Sequence, residues 1–142
     1  MDRYADNEVI SRLLTGKSTW AVVGLSTNTS RAAYGVSALL ARLGRRIVPV
    51  HPRAETVHGQ PGYRTLAEIP FPVDVVDMFV NSRRVGAVVD DAIKAGAKAV
   101  WLQLGVIDEA AAVRAAGSGL DVVMNRCPAI EARRLGLARA PS

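Results

Sequence analysis

Five short apolar runs, four of them followed by a stretch of helical periodicity, constrain this chain more than any single motif. They span residues 19–25, 46–50, 73–80, 97–104 and 120–124. The first, Thr19-Trp20-Ala21-Val22-Val23-Gly24-Leu25, shows no polar alternation. That is the pattern of a strand buried on both faces. Between the runs the spacing predicts helices. Over 31–43, Tyr34, Ala38 and Leu39 accompany Val36, Leu40 and Leu43, and Gly44 stops the pattern. Further helices are expected over 82–95, 108–116 and 128–135. A short one over 6–15 precedes the first run, with Asp6 as its cap, a stripe of Val9, Ile10, Leu13 and Leu14, and Gly16 at its end.

Strands alternating with helices of this length require crossover connections, and therefore a parallel sheet. The expected fold is one α/β domain of Rossmann-like type over residues 1–142, with its core at about 17–136. It is a doubly wound parallel sheet of about five strands with helices on both faces. A flavodoxin-like strand order fits the same pattern. Residues 54–64 read as a loop and 65–69 as a helical turn.

The chain is 49% hydrophobic and 22% charged, as a globular core requires, and no apolar run reaches the roughly 18 residues of a membrane span. The polar start Met1-Asp2-Arg3-Tyr4-Ala5-Asp6 is unlike a signal peptide, and a lone Cys127 demands no oxidising compartment. The expected location is the cytoplasm. A net charge of +5 favours anionic partners. Nucleic acid is the weaker candidate, because aromatics are only 5% of the chain and the cations are scattered. The densest cationic group, Arg126, Arg133, Arg134 and Arg139, is assigned to a basic C-terminal tail.

Open sheets of this type bind ligands at the carboxyl ends of their strands. After the first strand comes Gly24-Leu25-Ser26-Thr27-Asn28-Thr29-Ser30-Arg31, with one glycine instead of three. Gly24 permits a sharp turn. Ser26, Thr27, Asn28 and Ser30 offer donors beside a helix start, which itself favours an anion. Arg31 in the first helical turn opposes the helix dipole unless an anion lies between them; a plain cap with a solvated arginine is the simpler alternative. The second strand ends in His51-Pro52-Arg53, where an NAD site places an acid on the ribose hydroxyls. Arginine there suits a phosphorylated ribose, which leaves NADP or coenzyme A (CoA) as ligand. A surface arginine without a ligand is the competing reading.

Several chemistries lack their residues. No Gly-x-x-x-x-Gly-Lys-Ser/Thr motif is present, and two histidines with one cysteine make no credible metal site. Asp74 and Asp77 fall on opposite faces of one strand, and Asp90 and Asp91 read as solvated helix positions. No catalytic residues are assigned, so nothing requires an enzyme. Cys127 follows the last strand beside Arg126. It reads first as a small apolar packing residue and second as a redox site able to form a mixed disulfide with the CoA thiol.

The ordered segments Val22-Val23-Gly24-Leu25-Ser26, Tyr34-Gly35-Val36, Ile47-Val48-Pro49-Val50-His51-Pro52, Val73-Asp74-Val75-Val76-Asp77-Met78-Phe79, Gly96-Ala97-Lys98-Ala99-Val100-Trp101-Leu102-Gln103-Leu104-Gly105-Val106 and Asn125-Arg126-Cys127 resemble the stand-alone CoA-binding protein family. That family is similar to the N-terminal domain of the succinyl-CoA synthetase alpha subunit. The resemblance covers about residues 17–136. It implies that Gly24, Ser26, Thr27, Asn28 and Arg31 surround a pyrophosphate, with Leu25 and Tyr34 carried in the same motifs. Pro52 and Arg53 would lie by the phosphorylated ribose, with His51 where the family often has asparagine. Phe79 and Val80 would flank the adenine, with Arg83 nearby, and Gln103, Leu104 and Gly105 would line the groove. Arg31-Ala32-Ala33 replaces the family's common Arg-Pro-Ser. The phosphohistidine loop and nucleotide-binding module of a synthetase have no room in 142 residues. The implied function is therefore a non-catalytic carrier, sensor or regulatory domain for CoA or acyl-CoA. An NADP-binding oxidoreductase or redox sensor is the alternative. Exposed apolar faces on edge helices would support a homodimer, which periodicity does not determine.

Overall fold

The computed structural model describes residues 3–137. In chain order the elements are α1 (Asn7–Thr15), β1 (Thr19–Val23), α2 (Ala32–Arg42), β2 (Arg46–Val50), a 3-10 turn (Leu66–Glu68), β3 (Val75–Met78), α3 (Val85–Lys94), β4 (Ala99–Leu102), α4 (Glu109–Gly117), β5 (Asp121–Met124) and α5 (Pro128–Arg134). All strand pairs are parallel, in the order β2-β1-β3-β4-β5. Each strand is four or five residues long, and all but β2 are shorter than their apolar runs. The surplus residues leave the sheet and enter the loops at the strand ends.

The five strands alone have the flavodoxin-like order, and the loop beyond β2 decides between the two topologies. Beyond β2 the loop returns once to the sheet: the Tyr63 N–H donates to Pro49 O and the His51 N–H to Tyr63 O, both at 3.0 Å. This single parallel bridge, Val50 with Tyr63, stands where a third Rossmann strand would lie. Counted so, the order is that of the Rossmann sheet with one strand reduced to a residue. The intervening chain contains too many Gly, Pro and polar residues to sustain more.

The two faces carry separate cores. One packs α1, α2 and α5 through Ile10, Leu14, Val36, Leu40 and Ala132 against Trp20, Val22, Val75 and Trp101. The other packs α3 and α4 through Val85, Val89, Ala111 and Ala115 against Val76, Met78, Val100 and Leu102. Successive strand residues alternate between these cores, as a pleat requires. Trp20 and Trp101 meet with ring centroids 5.6 Å apart, and each indole N–H has an acceptor: Ser18 Oγ and Arg126 O, both at 2.9 Å. Trp101 is thus core, as its place in a run suggests.

Asp6 caps α1, its carboxylate accepting from the Glu8 and Val9 N–H groups. The other end of that helix is closed by a buried cation. Arg45 donates to Leu14 O, to Thr15 O and to Leu43 O, the last at 3.0 Å. Its guanidinium therefore sits on the negative ends of α1 and α2, and burial lowers its pKa. Arg45→Met should cost roughly 1–3 kcal/mol, because carbonyls at two helix ends lose their donor. A urea-unfolding midpoint equal to that of the wild type would refute this.

The basic group expected in a C-terminal tail is distributed differently. Arg133 and Arg134 lie on α5, where Ala132 is buried and Arg134 pairs with Glu131 at 3.0 Å. Arg139 lies outside the described residues. Among the described residues no helix is long and apolar enough to cross a membrane.

Candidate functional site

The chain leaves β1 toward β2 on one side and later crosses to β3 on the other. The loops after β1 and β3 therefore diverge and leave a crevice at the carboxyl ends of the sheet. Gly24 forms its floor. Its φ is +100°, its N–H donates to Val50 O at 2.8 Å, and the Phe79 N–H donates to Val23 O at 2.9 Å. A Cβ on Gly24 would lie 2.6 Å from Phe79 O, so glycine is what lets the two loops meet.

The first loop is braced from within. Ser26, buried, accepts from the Asn28 N–H at 3.2 Å, and Asn28 Oδ1 accepts from the Ser30 N–H at 3.0 Å and the Ser30 hydroxyl at 2.6 Å. Leu25 is fully buried beneath it. Arg31, exposed, occupies the N-cap of α2 without a side-chain cap, and no acid stands in that first turn. In that first turn the Tyr34 N–H donates back to Arg31 O at 3.1 Å, and the side chain at the cap is a cation.

The loop after β2 closes over this first loop. His51 Nδ1 accepts from the Arg53 N–H at 3.2 Å, and Pro52 and Arg53 are exposed. Glu55 reaches across to Thr27: Oε1 accepts from the Thr27 N–H at 3.3 Å and Oε2 from its hydroxyl at 3.0 Å. Those two bonds, helped by the charges of Arg53 and His51, hold the Glu55 carboxyl below its usual pKa range. The far end of the loop is pinned to α2. The Tyr34 and His58 rings meet at 4.5 Å, and His58 Nε2 lies 3.0 Å from Ser37 Oγ and 3.1 Å from Tyr34 O. The Ser37 hydroxyl donates to Ala33 O at 2.6 Å, so His58 Nε2 carries the proton and donates. The pair is a clip, not a nucleophile with its base.

On the other side of the crevice, Asn81 Oδ1 accepts from the Arg83 and Arg84 N–H groups at 3.1 Å each, which turns the chain into α3. Phe79 and Val80 are half-buried, and Arg83 is exposed. The Gly105 N–H donates to Asn125 Oδ1 at 2.8 Å, tying the β4 loop to the β5 loop. Leu104 is 55% exposed and Ile107 46%, while Gln103 is buried with its Oε1 unpartnered. Cys127 is half-buried and packs on the α2–α5 core.

The geometry therefore joins Gly24 to Phe79, Thr27 to the β2 loop, and Gly105 to Asn125. It shows no direct contact between Arg53 and Arg83, which flank β1 from opposite sides. Glu55, Ser37 and His58 are participants that sequence reasoning missed, and Asn125, quoted only within a motif, is given its contact by the structure. The available signal was Gly62, whose Cβ would lie 2.3 Å from Glu55 O and whose absence lets the loop fold that tightly.

A family model described as CoA binding domain matches residues 18–133. This chain belongs to that family. The CoA-binding-family chain is 30% identical over 118 residues to the protein YneT of Bacillus subtilis (strain 168), covering 83% of this chain and 87% of that one. A hypothetical protein from Pyrococcus horikoshii OT3 superposes with a TM-score of 0.86 at 37% identity, over 92% of each chain. The dinucleotide-forming acetyl-coenzyme A synthetase 1 of Ca. Korarchaeum cryptofilum matches with a TM-score of 0.66 at 27% identity. That match covers 78% of this chain and 26% of the enzyme, so it concerns one part of a much larger protein.

Proposed function

We propose that the protein binds CoA or an acyl-CoA across the carboxyl ends of β1 and β3, as a non-catalytic carrier, sensor or regulatory domain. The observation that carries this reading is the family match over residues 18–133. The donor set of the crevice is compatible with it. A polyphosphate needs N–H groups and cations, which the start of α2 with Arg31 offers, while Glu55 holds the Thr27 donors of the same loop. Arg53 serves the phosphorylated ribose, with Pro52 and His51 shaping its loop. Phe79 and Val80 offer an apolar wall for the adenine, and Arg83 a second cation. Gln103 supplies an unpartnered buried acceptor, and Leu104 and Gly105 edge the groove on which the pantetheine arm runs.

Calorimetric titration with CoA, acetyl-CoA, NADP and NAD at fixed salt tests the reading. CoA or acetyl-CoA is expected to bind and NAD to bind far more weakly. Preference for NADP, or silence with all four, would reject it. Arg53→Ala should weaken CoA by roughly 1–3 kcal/mol and dephospho-CoA by much less, since a charge-assisted contact is lost only with the former. Equal weakening of both ligands would remove Arg53 from the phosphate.

A further inference from the structure

We propose that Glu55 is an internal anion held at the phosphate position of the first loop, so that ligand binds by exchanging its phosphate for this carboxylate. The inference rests on the CoA reading above and adds a residue that governs which anions enter. Both donors of Thr27, the N–H and the hydroxyl, are taken by the two oxygens of one carboxylate. Thr27 lies in the loop that leads from the floor of the crevice to the start of α2, where the sequence resemblance puts the pyrophosphate. A phosphate that reaches Thr27 must displace Glu55.

The arrangement is built rather than incidental. Ala54 has φ +48° and His58 φ +52°, Gly62 passes against Glu55 O, and His58 fastens the loop to α2. Glu55 also interacts with the charges of Arg53 and His51. One displacement therefore frees both Thr27 donors together and takes the carboxylate's charge away from Arg53 and His51. A ligand carrying two or more phosphate charges uses both and repays the exchange. A carboxylate monoanion makes only the bonds that Glu55 already makes and gains nothing. The site thereby selects polyphosphates over small anions.

If the carboxylate sits on Thr27 in about nine molecules of ten, the apparent Kd stands about tenfold above that of the open loop. Glu55→Gln keeps the shape and removes the charge. It should bind CoA and inorganic pyrophosphate about tenfold more tightly than the wild type. Asp91→Asn, on the exposed side of α3, makes the same change in net charge and should leave both affinities nearly unchanged. Equal affinities of wild type and Glu55→Gln, or weaker binding by the variant, overturn the proposal. So does an equal gain in Asp91→Asn, which would reduce the effect to net charge. If CoA binds neither protein, the CoA reading falls and the exchange is decided by the Thr27 amide resonance during pyrophosphate titration. A response at lower pyrophosphate in Glu55→Gln supports it; the same response in both, or none in either, overturns it.

Discussion

Asp77→Leu is expected to stabilise the protein by roughly 1–3 kcal/mol at low pH, the cost of keeping an unpaired polar group in the core, and by more at neutral pH. Asp77 lies on β3, the central strand, and is wholly buried. Its register neighbours are Val22 on β1 and Trp101 on β4, and on the same face β3 contributes Val75. Neither carboxyl oxygen has a hydrogen-bond partner. Burial pushes this carboxyl well above the usual range, and the adjacent Met78 N–H pulls the other way without reversing the shift. The sign of the pH effect follows. The folded state holds the proton more tightly than the unfolded chain, so stability is greatest below the unfolded pKa. It falls as pH rises from there toward the folded pKa, by about 1.4 kcal/mol per pH unit within that window. Leucine has the same branching and no proton, so Asp77→Leu removes this slope and its advantage grows with pH. Asp77→Asn should flatten the slope without recovering the burial cost, since the amide is unpartnered too. Urea unfolding of all three proteins at a series of pH values separates these effects. Parallel curves, or a leucine variant less stable than the wild type, would show that Asp77 has a stabilising role in the fold.

Asp77 also marks where sequence reasoning reached its limit. Its alternation with Asp74 was legible, because a pleat sends odd-numbered separations to opposite faces. Asp74 indeed accepts from the Thr19 N–H at 2.8 Å and pairs with Lys98, near the opposite end of the sheet from the crevice. What a strand pattern does not contain is the partner of each polar group, and so the isolation of Asp77 appears only in three dimensions. The elements themselves were legible because burial on both faces leaves continuous apolar runs and helices leave stripes. The strand order was open, since the deciding bridge is one residue, Tyr63, in a segment with no periodicity. The candidate site divides in the same way. Gly24, Arg31 and Arg53 follow from their places at strand and helix ends. Glu55 and His58 do not, because their contacts depend on positive-φ backbone at Ala54 and His58, and Gly62 signals a close approach without naming what it approaches. Arg133 and Arg134 belong to α5, whose apolar side, with Ala132 buried, is fixed against the core and leaves both arginines exposed.

Gly24→Ala is the substitution expected to cost most, roughly 2–6 kcal/mol, because two penalties combine. A side chain at φ +100° is strained by about 1–3 kcal/mol, and the new methyl group overpacks by a similar amount. It would stand 2.6 Å from Phe79 O and 3.2 Å from Phe79 Cβ, and backbone cannot rotate away as a flexible side chain can. Relief requires β1 and β3 to part at their carboxyl ends, which stretches the bond from the Phe79 N–H to Val23 O. That is also the floor of the crevice, so CoA affinity should fall even at temperatures where the variant remains folded. Gly35→Ala provides the contrast within the same family motif. Gly35 lies on α2, a methyl group there would have no neighbour within 4 Å, and alanine should stabilise by about 0.5–1 kcal/mol through helix propensity. Thermal unfolding of the two variants therefore moves in opposite directions. If Gly24→Ala instead melts with the wild type, the close approach of β1 and β3 is not a constraint. If it melts early and binds CoA undiminished, the floor supports the fold and takes no part in holding the ligand.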